Sequence, residues 1–376
     1  MRPLQMVDTK TQYQKIKKEV DAAVIGVLES SQFIGGKVVN DFAQHLATYN
    51  GVKHVIPCAN GTDALQIAMM ALDLQPGDEI ISASFTYIAT VEAAAILKVK
   101  PVFVEVDKQT FCLDAEAIEK AITPKTKAIV PVHLYGHAAE MEKIMAIANK
   151  HNLYVIEDNA QAIGCDYTFS DGTVKKTGGI GHIGTTSFYP SKNLGAYGDG
   201  GAIFTNDDAL ADKLRKIAAH GQSKRYYHDL VGCNSRLDAI QAAILDIKLN
   251  HLDEYIAARR KAADFYDKAF VNHPKVTVPY RAAYSKHVFH QYTLVLEGVD
   301  RDALSAFLAE RGIPSMIYYP VPCHKQQMFE AFGGSSYNLE ITDWLTERVI
   351  SLPIHTELDE EQQNFIVENV LEFINK

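Results

Sequence analysis

The chain has 376 residues, 47% of them hydrophobic, with 37 Lys and Arg against 46 Asp and Glu for a formal charge of −9. That length favours a large domain plus a smaller one, placed at residues 1–250 and 251–376, and the negative balance argues against nucleic acid or an anionic membrane as partner. Cys58, Cys112, Cys165, Cys233 and Cys323 form no C-x-x-C pair, the first residues lack the apolar core of an export signal, and no run approaches a membrane span, so a cytoplasmic protein with reduced thiols is expected.

In chain order, Ile16, Val20, Val24 and Val27 recur at helical spacing over residues 10–30, Gly35-Gly36 breaks the run, and a second helix is expected over 38–49. Strands are then predicted at 52–57, 79–82, 102–106, 128–132 and 154–157, alternating with helices at 62–72, 88–97, 115–122 and 141–151. Such alternation predicts an α/β fold with a mostly parallel sheet between helices. Strands at 185–188 and 202–205 follow among Gly-rich loops, then helices at 209–219, 237–249 and 251–270, the last bridging into the second domain. A strand at 292–296 and helices at 300–311 and 360–374 complete a small α+β unit.

Ligands of an open α/β sheet gather beyond the carboxyl ends of its strands. After 52–57 comes Ala59-Asn60-Gly61-Thr62-Asp63, whose helix-opening N–H groups suit a phosphate, although an ordinary capped turn has the same residues. After 154–157 comes Asp158-Asn159-Ala160-Gln161, a carboxylate at the end of an apolar strand, suited either to a protonated ring nitrogen or to a helix cap. The deciding stretch runs from Thr185 to Ala202 and sets Lys192 in a loop of small residues. It lacks the G-x-x-x-x-G-K-[ST] fingerprint of an anion-binding lysine, whereas a lysine together with Asp158 is what pyridoxal phosphate (PLP) requires.

Six motifs carry a wider resemblance: Asn60-Gly61-Thr62-Asp63-Ala64-Leu65, Phe85-Thr86-Tyr87, Val132-His133-Leu134-Tyr135-Gly136, Glu157-Asp158-Asn159-Ala160-Gln161, the Ser187-to-Gly201 segment, and Asn234-Ser235-Arg236-Leu237-Asp238. In order and nearly end to end, they resemble the DegT/DnrJ/EryC/StrS sugar aminotransferases of the aspartate aminotransferase superfamily. The resemblance implies PLP fold type I, with Lys192 joined to PLP as a Schiff base, Asp158 paired with the ring nitrogen, Gln161 beside the ring and Tyr87 stacked on it. It further implies that Gly61, Thr62 and Ser187 hold the phosphate, and that Asn234 reaches it from the neighbouring subunit of a homodimer. Members with His at the lysine position eliminate water instead, and Lys192 argues for nitrogen transfer. No metal is required, and His133, His137 and His182 lie too far apart in sequence for a recognisable metal site.

The stretch from His220 to Asp238 is most similar to enzymes that aminate 3-keto sugars, in particular UDP-2-acetamido-2-deoxy-3-oxo-glucuronate. L-Glutamate as donor and surface polysaccharide such as lipopolysaccharide as destination are further implications of the resemblance. Arg225 is expected near the nucleotide and Arg236 near the sugar carboxylate, since a guanidinium fork suits both anions; either residue also suits a surface or interface ion pair. Tyr319 and His324 fall in a segment similar to the family's sugar-contacting loop, and a core role suits His324 equally. Two other readings stand beside this one: a dTDP-3-keto-6-deoxyhexose as the substrate, or a non-catalytic PLP-binding regulator. Asn159 departs from the Asp-Ala-Ala common in the family.

Overall fold

A computed structural model describes residues 2–376. Helices α1 (Thr9–Ser30) and α2 (Gly36–Asn50) meet at Gly35 and Gly36, both at positive φ, a region that only glycine enters cheaply. Strands β1 (His54–Cys58), β2 (Glu79–Ala83), β3 (Lys100–Val104), β4 (Thr126–Val130) and β5 (Tyr154–Asp158) then alternate with α3 (Gly61–Ala71), α4 (Ala89–Ile96), α5 (Ala115–Ala121) and α6 (Met141–His151). A short hairpin of β6 (Asp166–Thr168) and β7 (Val174–Lys176), absent from the sequence reading, precedes β8 (Ile183–Ser187) and β9 (Gly201–Thr205).

The seven main strands are ordered β1-β9-β8-β5-β4-β2-β3, and β9 alone runs antiparallel to its neighbours. The mostly parallel sheet is therefore present as expected. Its two faces are legible in consecutive residues: Ile81 and Val155 join one core with Phe42 and Phe188, while Ile80 and Ile156 join another with Leu65 and Ile203. Side chains alternating across a strand that is covered on both faces must both be apolar, which is why these strands read as continuous apolar runs.

Beyond the sheet come α7 (Asp208–Ala218), the hairpin β10 (Gln222–Lys224) and β11 (Tyr227–His228), α8 (Ala239–Asn250) and α9 (Leu252–Phe270). Helix α8 starts two residues later than expected, because residues 234–238 are extended, with Ser235 and Leu237 buried and Asn234, Arg236 and Asp238 exposed. Helix α9 joins two cores: Leu252 and Ile256 pack under the main sheet, Tyr266 and Phe270 in a third cluster. That cluster is built on β12 (Val276–Thr277), β14 (Tyr292–Leu296), β15 (Val349–Leu352), α10 (Arg301–Glu310) and α12 (Glu360–Ile374), while β13 (Ser285–Lys286) extends the β6–β7 hairpin. The chain also crosses between these regions: Leu4 packs on the third cluster, and Cys323, Phe329 and Leu339, the last just ahead of α11 (Glu340–Arg348), pack against Val91 and Phe103.

Candidate active site

A cavity of about 810 Å³ lies beyond the carboxyl ends of β5 and β8 and at the N-terminus of α3. Gly61, Thr62, Tyr87, Asp158, Gln161, Ser187, Lys192 and Tyr319 all line it, so eight of the residues singled out in the sequence converge.

The start of α3 is pressed against β8. A Cβ on Gly61 would sit 2.7 Å from the Ser187 Cβ, which requires glycine at this place. The Asn60 side chain caps the Asp63 N–H at 2.8 Å, and among the described residues the N–H groups of Gly61 and Thr62 have no hydrogen-bond acceptor. A helix N-terminus with free donors beside the Thr62 and Ser187 hydroxyls has the donors that a phosphate group needs. Ser235 braces it from behind, donating to Asp63 at 2.6 Å and accepting from the Ala59 N–H at 3.0 Å.

Asp158 ends β5 and is buried. Its Oδ2 accepts from the Thr90 hydroxyl at 2.7 Å and its Oδ1 from the Ala160 N–H at 3.1 Å, yet among the described residues it has no ion-pair partner. A buried carboxylate without a cation is costly, and a protonated ring nitrogen would supply one. Lys192 is half-buried, and its Nζ makes no hydrogen bond or ion pair among the described residues. Burial pushes its amine down to about 8, partly opposed by the negative charge of Asp158. The loop that carries it is tied to the body of the protein: the buried Lys248 donates to the Gly195 carbonyl at 2.5 Å, Gln241 accepts from the Tyr197 N–H at 2.8 Å, and Asn193 donates to the Val288 carbonyl at 3.0 Å.

Gln161 accepts from the Tyr135 N–H at 2.7 Å and donates to the Tyr319 hydroxyl at 3.0 Å, so its amide is clamped at both ends. The Tyr87 ring is exposed at the rim, 6.1 Å from that of Tyr319. An amine and a buried carboxylate without ion-pair partners among the described residues, free N–H groups at a helix start and a rim aromatic are together of the chemical types that PLP needs.

Four expected residues do not line this cavity. His324 takes the core position that the sequence left open beside a sugar contact: its ring is buried, with Nδ1 2.7 Å from the Ser84 hydroxyl and Phe103 and Tyr337 packed nearby. Burial lowers its pKa, as expected for a core imidazole. Asn234 and Arg236 project outward from the extended segment anchored by Ser235, and Arg225 is exposed on the β10–β11 turn, its guanidinium 5.2 Å from the Tyr226 ring. Conversely, His290, Gln291 and Asp199 line the cavity and were not singled out. His290 and Gln291 stand just ahead of β14, where only their polarity before an apolar strand marks them.

The fold and this site are those of a PLP-dependent enzyme. Residues 14–371 match the model of the DegT/DnrJ/EryC1/StrS aminotransferase family, and the chain belongs to that family. It is similar to a pleiotropic regulatory protein of Geobacillus stearothermophilus, 46% identical over 98% of each chain. It is also similar to the UDP-2-acetamido-2-deoxy-3-oxo-D-glucuronate aminotransferase of Pseudomonas aeruginosa, 45% identical over 95% of this chain and 96% of that one. A UDP-N-acetyl-3-dehydro-alpha-D-glucosamine 3-aminotransferase of Acidithiobacillus ferrooxidans is 44% identical over 95% and 94%. Among solved structures, NtdA of Bacillus subtilis with bound cofactor PMP superposes with a TM-score of 0.92, at 31% identity, over 100% of this chain and 86% of that one.

Proposed function

We propose that the protein transfers an amino group from L-glutamate to a UDP-linked 3-keto sugar, UDP-2-acetamido-2-deoxy-3-oxo-glucuronate, in the cytoplasm and for surface polysaccharide. The observation that carries the chemistry is the Lys192 amine and the Asp158 carboxylate, both without ionic partners in one cavity at the start of α3. The substrate rests on the relative that acts on this uronate.

Gly61, Thr62 and Ser187 bind the cofactor phosphate, and Tyr87 covers the ring. Bound PLP supplies an electron sink for negative charge at the carbon that loses its proton. Asp158 keeps a proton on the ring nitrogen, which preserves that sink. Lys192, with an amine held near 8, is basic enough to take the donor's proton at Nζ and acidic enough to return it, the match that general acid–base catalysis needs. Gln161 fixes the position of Tyr319 beside the substrate. Asn234, Arg236 and Arg225 face outward, as residues lent to a second copy must, so a homodimer with shared sites fits them: Asn234 to the phosphate, Arg236 to the sugar carboxylate, Arg225 to the pyrophosphate.

Absorbance spectra of the purified protein with and without L-glutamate test the first half of the reaction. The visible band of bound cofactor should be lost on adding glutamate, and Lys192→Ala should abolish turnover; full activity in that variant sinks the reading. Turnover of the uronate against the 3-keto N-acetylglucosamine nucleotide and dTDP-3-keto-6-deoxyhexose tests the substrate. Faster consumption of either sugar lacking the carboxylate removes the role given to Arg236. The similarity to a regulatory protein favours a second reading, a PLP-binding regulator, which predicts no amine transfer to any nucleotide sugar.

A further inference from the structure

Behind Asp158, on the other side of β5, lies a pair that the chemistry above does not use. Glu157 and His133 are both fully buried, and Nε2 of the imidazole is 2.8 Å from the carboxylate Oε2. The His133 Nδ1 accepts the Ala139 N–H at 3.1 Å, so the ring proton sits on Nε2 and a neutral imidazole donates to an ionised carboxylate. Glu157 also accepts the N–H groups of Gly178 (2.7 Å), Ile180 (2.7 Å) and Gly181 (2.6 Å). Four donors thus satisfy a buried carboxylate without a cation.

Both partners reach the cavity through the main chain. The His133 N–H donates to the Asp158 carbonyl at 3.1 Å, and the Asp158 N–H to the Pro131 carbonyl at 2.9 Å, so the end of β5 is stitched to the strand extension that carries His133. Two residues on, the N–H of Tyr135, at a positive φ of 57°, holds the Gln161 amide, which holds Tyr319. The His133 ring is the one side chain that ties this 133–139 loop to Glu157, and Glu157 in turn gathers the 178–181 loop.

We propose that His133 and Glu157 are a positioning pair for the amine-transfer site: by locking the 133–139 and 178–181 loops onto the end of β5, they fix Asp158 and Gln161 against the cofactor. This rests on the aminotransferase reading. The test compares His133→Ala, His133→Gln and wild type, since a glutamine places its amide nitrogen where Nε2 lies and can still donate to Glu157. In His133→Ala, kcat per cofactor-loaded site should fall about 10- to 100-fold, the range for removing the group behind a site-orienting residue. KM for the nucleotide sugar should hold, the visible band of bound PLP should change its pH dependence, and His133→Gln should recover most of the loss.

A pair that serves only the scaffold would lower the melting temperature and the loaded fraction, yet leave kcat per loaded site and the band unchanged; that result overturns the proposal, as does a His133→Gln no better than alanine. If His133→Ala does not fold, Glu157→Gln, which keeps the shape but turns one carboxylate oxygen into a donor facing donors, carries the same comparison with wild type. A wild-type protein that binds no PLP, or transfers no amine, overturns the aminotransferase reading itself, and so is told apart from failure of the pair.

Discussion

Gly61→Ala tests the phosphate cradle through a single methyl group. The added Cβ would lie 2.7 Å from the Ser187 Cβ and 3.3 Å from its Cα, against the roughly 3.5–4.0 Å at which carbon atoms rest. The obstructing atoms belong to the end of β8, not to the tip of a flexible side chain. The helix start cannot slide toward β9 either, because the Asn60–Gly61 peptide already occupies the space where a Cβ on Gly201 would stand. Overpacking of this kind costs about 1–3 kcal/mol, which should appear as a lower melting temperature of the cofactor-free protein. The forced movement, close to 1 Å by that comparison, would stretch hydrogen bonds from the Gly61 and Thr62 N–H groups out of range. A hydrogen bond to a charged group is worth about 1.5–3 kcal/mol, so losing one weakens PLP binding about 10- to 100-fold. Titration of the apoprotein with PLP, followed by absorbance, measures the affinity. Affinity within twofold of wild type, with an unchanged melting temperature, would refute the argument that the cradle depends on close contact between α3 and β8.

Lys192 links the site to pH. Its folded pKa, about 8, lies below the unfolded value of 10.5, so below pH 8 both states are protonated and folding carries the whole cost of burying the ammonium. Between pH 8 and 10.5 the folded state sheds the proton first, and stability contributed by this residue rises with pH. Cofactor-free Lys192→Met should therefore be more stable than wild type at pH 7, by a margin that narrows toward pH 10 in urea denaturation; a margin independent of pH would contradict it. Asn159→Ala should change stability by less than about 1 kcal/mol, because the lost acceptor of Thr177 is replaced by the Ala162 carbonyl, 3.1 Å away, and the buried, unpaired Asn159 Nδ2 disappears. A calorimetric loss of several kcal/mol would show that Asn159 holds more than this. Val231→Asp targets the exposed apolar group formed with Tyr226, Tyr227 and Leu230; it should yield monomers in light scattering and remove most activity, whereas an active dimer would dissociate this surface from assembly.

What could be read along the chain depended on how far away each residue's partners lie. Asp158, Lys192 and Gly61, which line one cavity, drew notice along the chain as a carboxylate closing an apolar strand, a lysine in a loop of small residues and a glycine opening a helix, although the first and last also suit an ordinary cap or turn. Asn234 and Arg236 were legible as a motif, but the outward direction of their side chains follows from Ser235, which turns inward to hold Asp63, 172 residues away. For His324 the choice between sugar contact and core stayed open for the same reason, since its Ser84 partner lies 240 residues away and the sequence around it reads as a loop. Glu157 is the sharpest case. In sequence it is a charged residue in an apolar strand, one step from the carboxylate to which the resemblance gives a role, and that assignment to Asp158 left it without a task. Its four donors come from the 133–139 and 178–181 loops, at separations of 21 to 24 residues, three of them backbone N–H groups that carry no side-chain signature. Composition cannot announce such a site. Side chains that meet a ligand leave a pattern of residue types at strand ends, whereas side chains that hold those residues in place are recognisable only once the backbone that satisfies them has been folded around them.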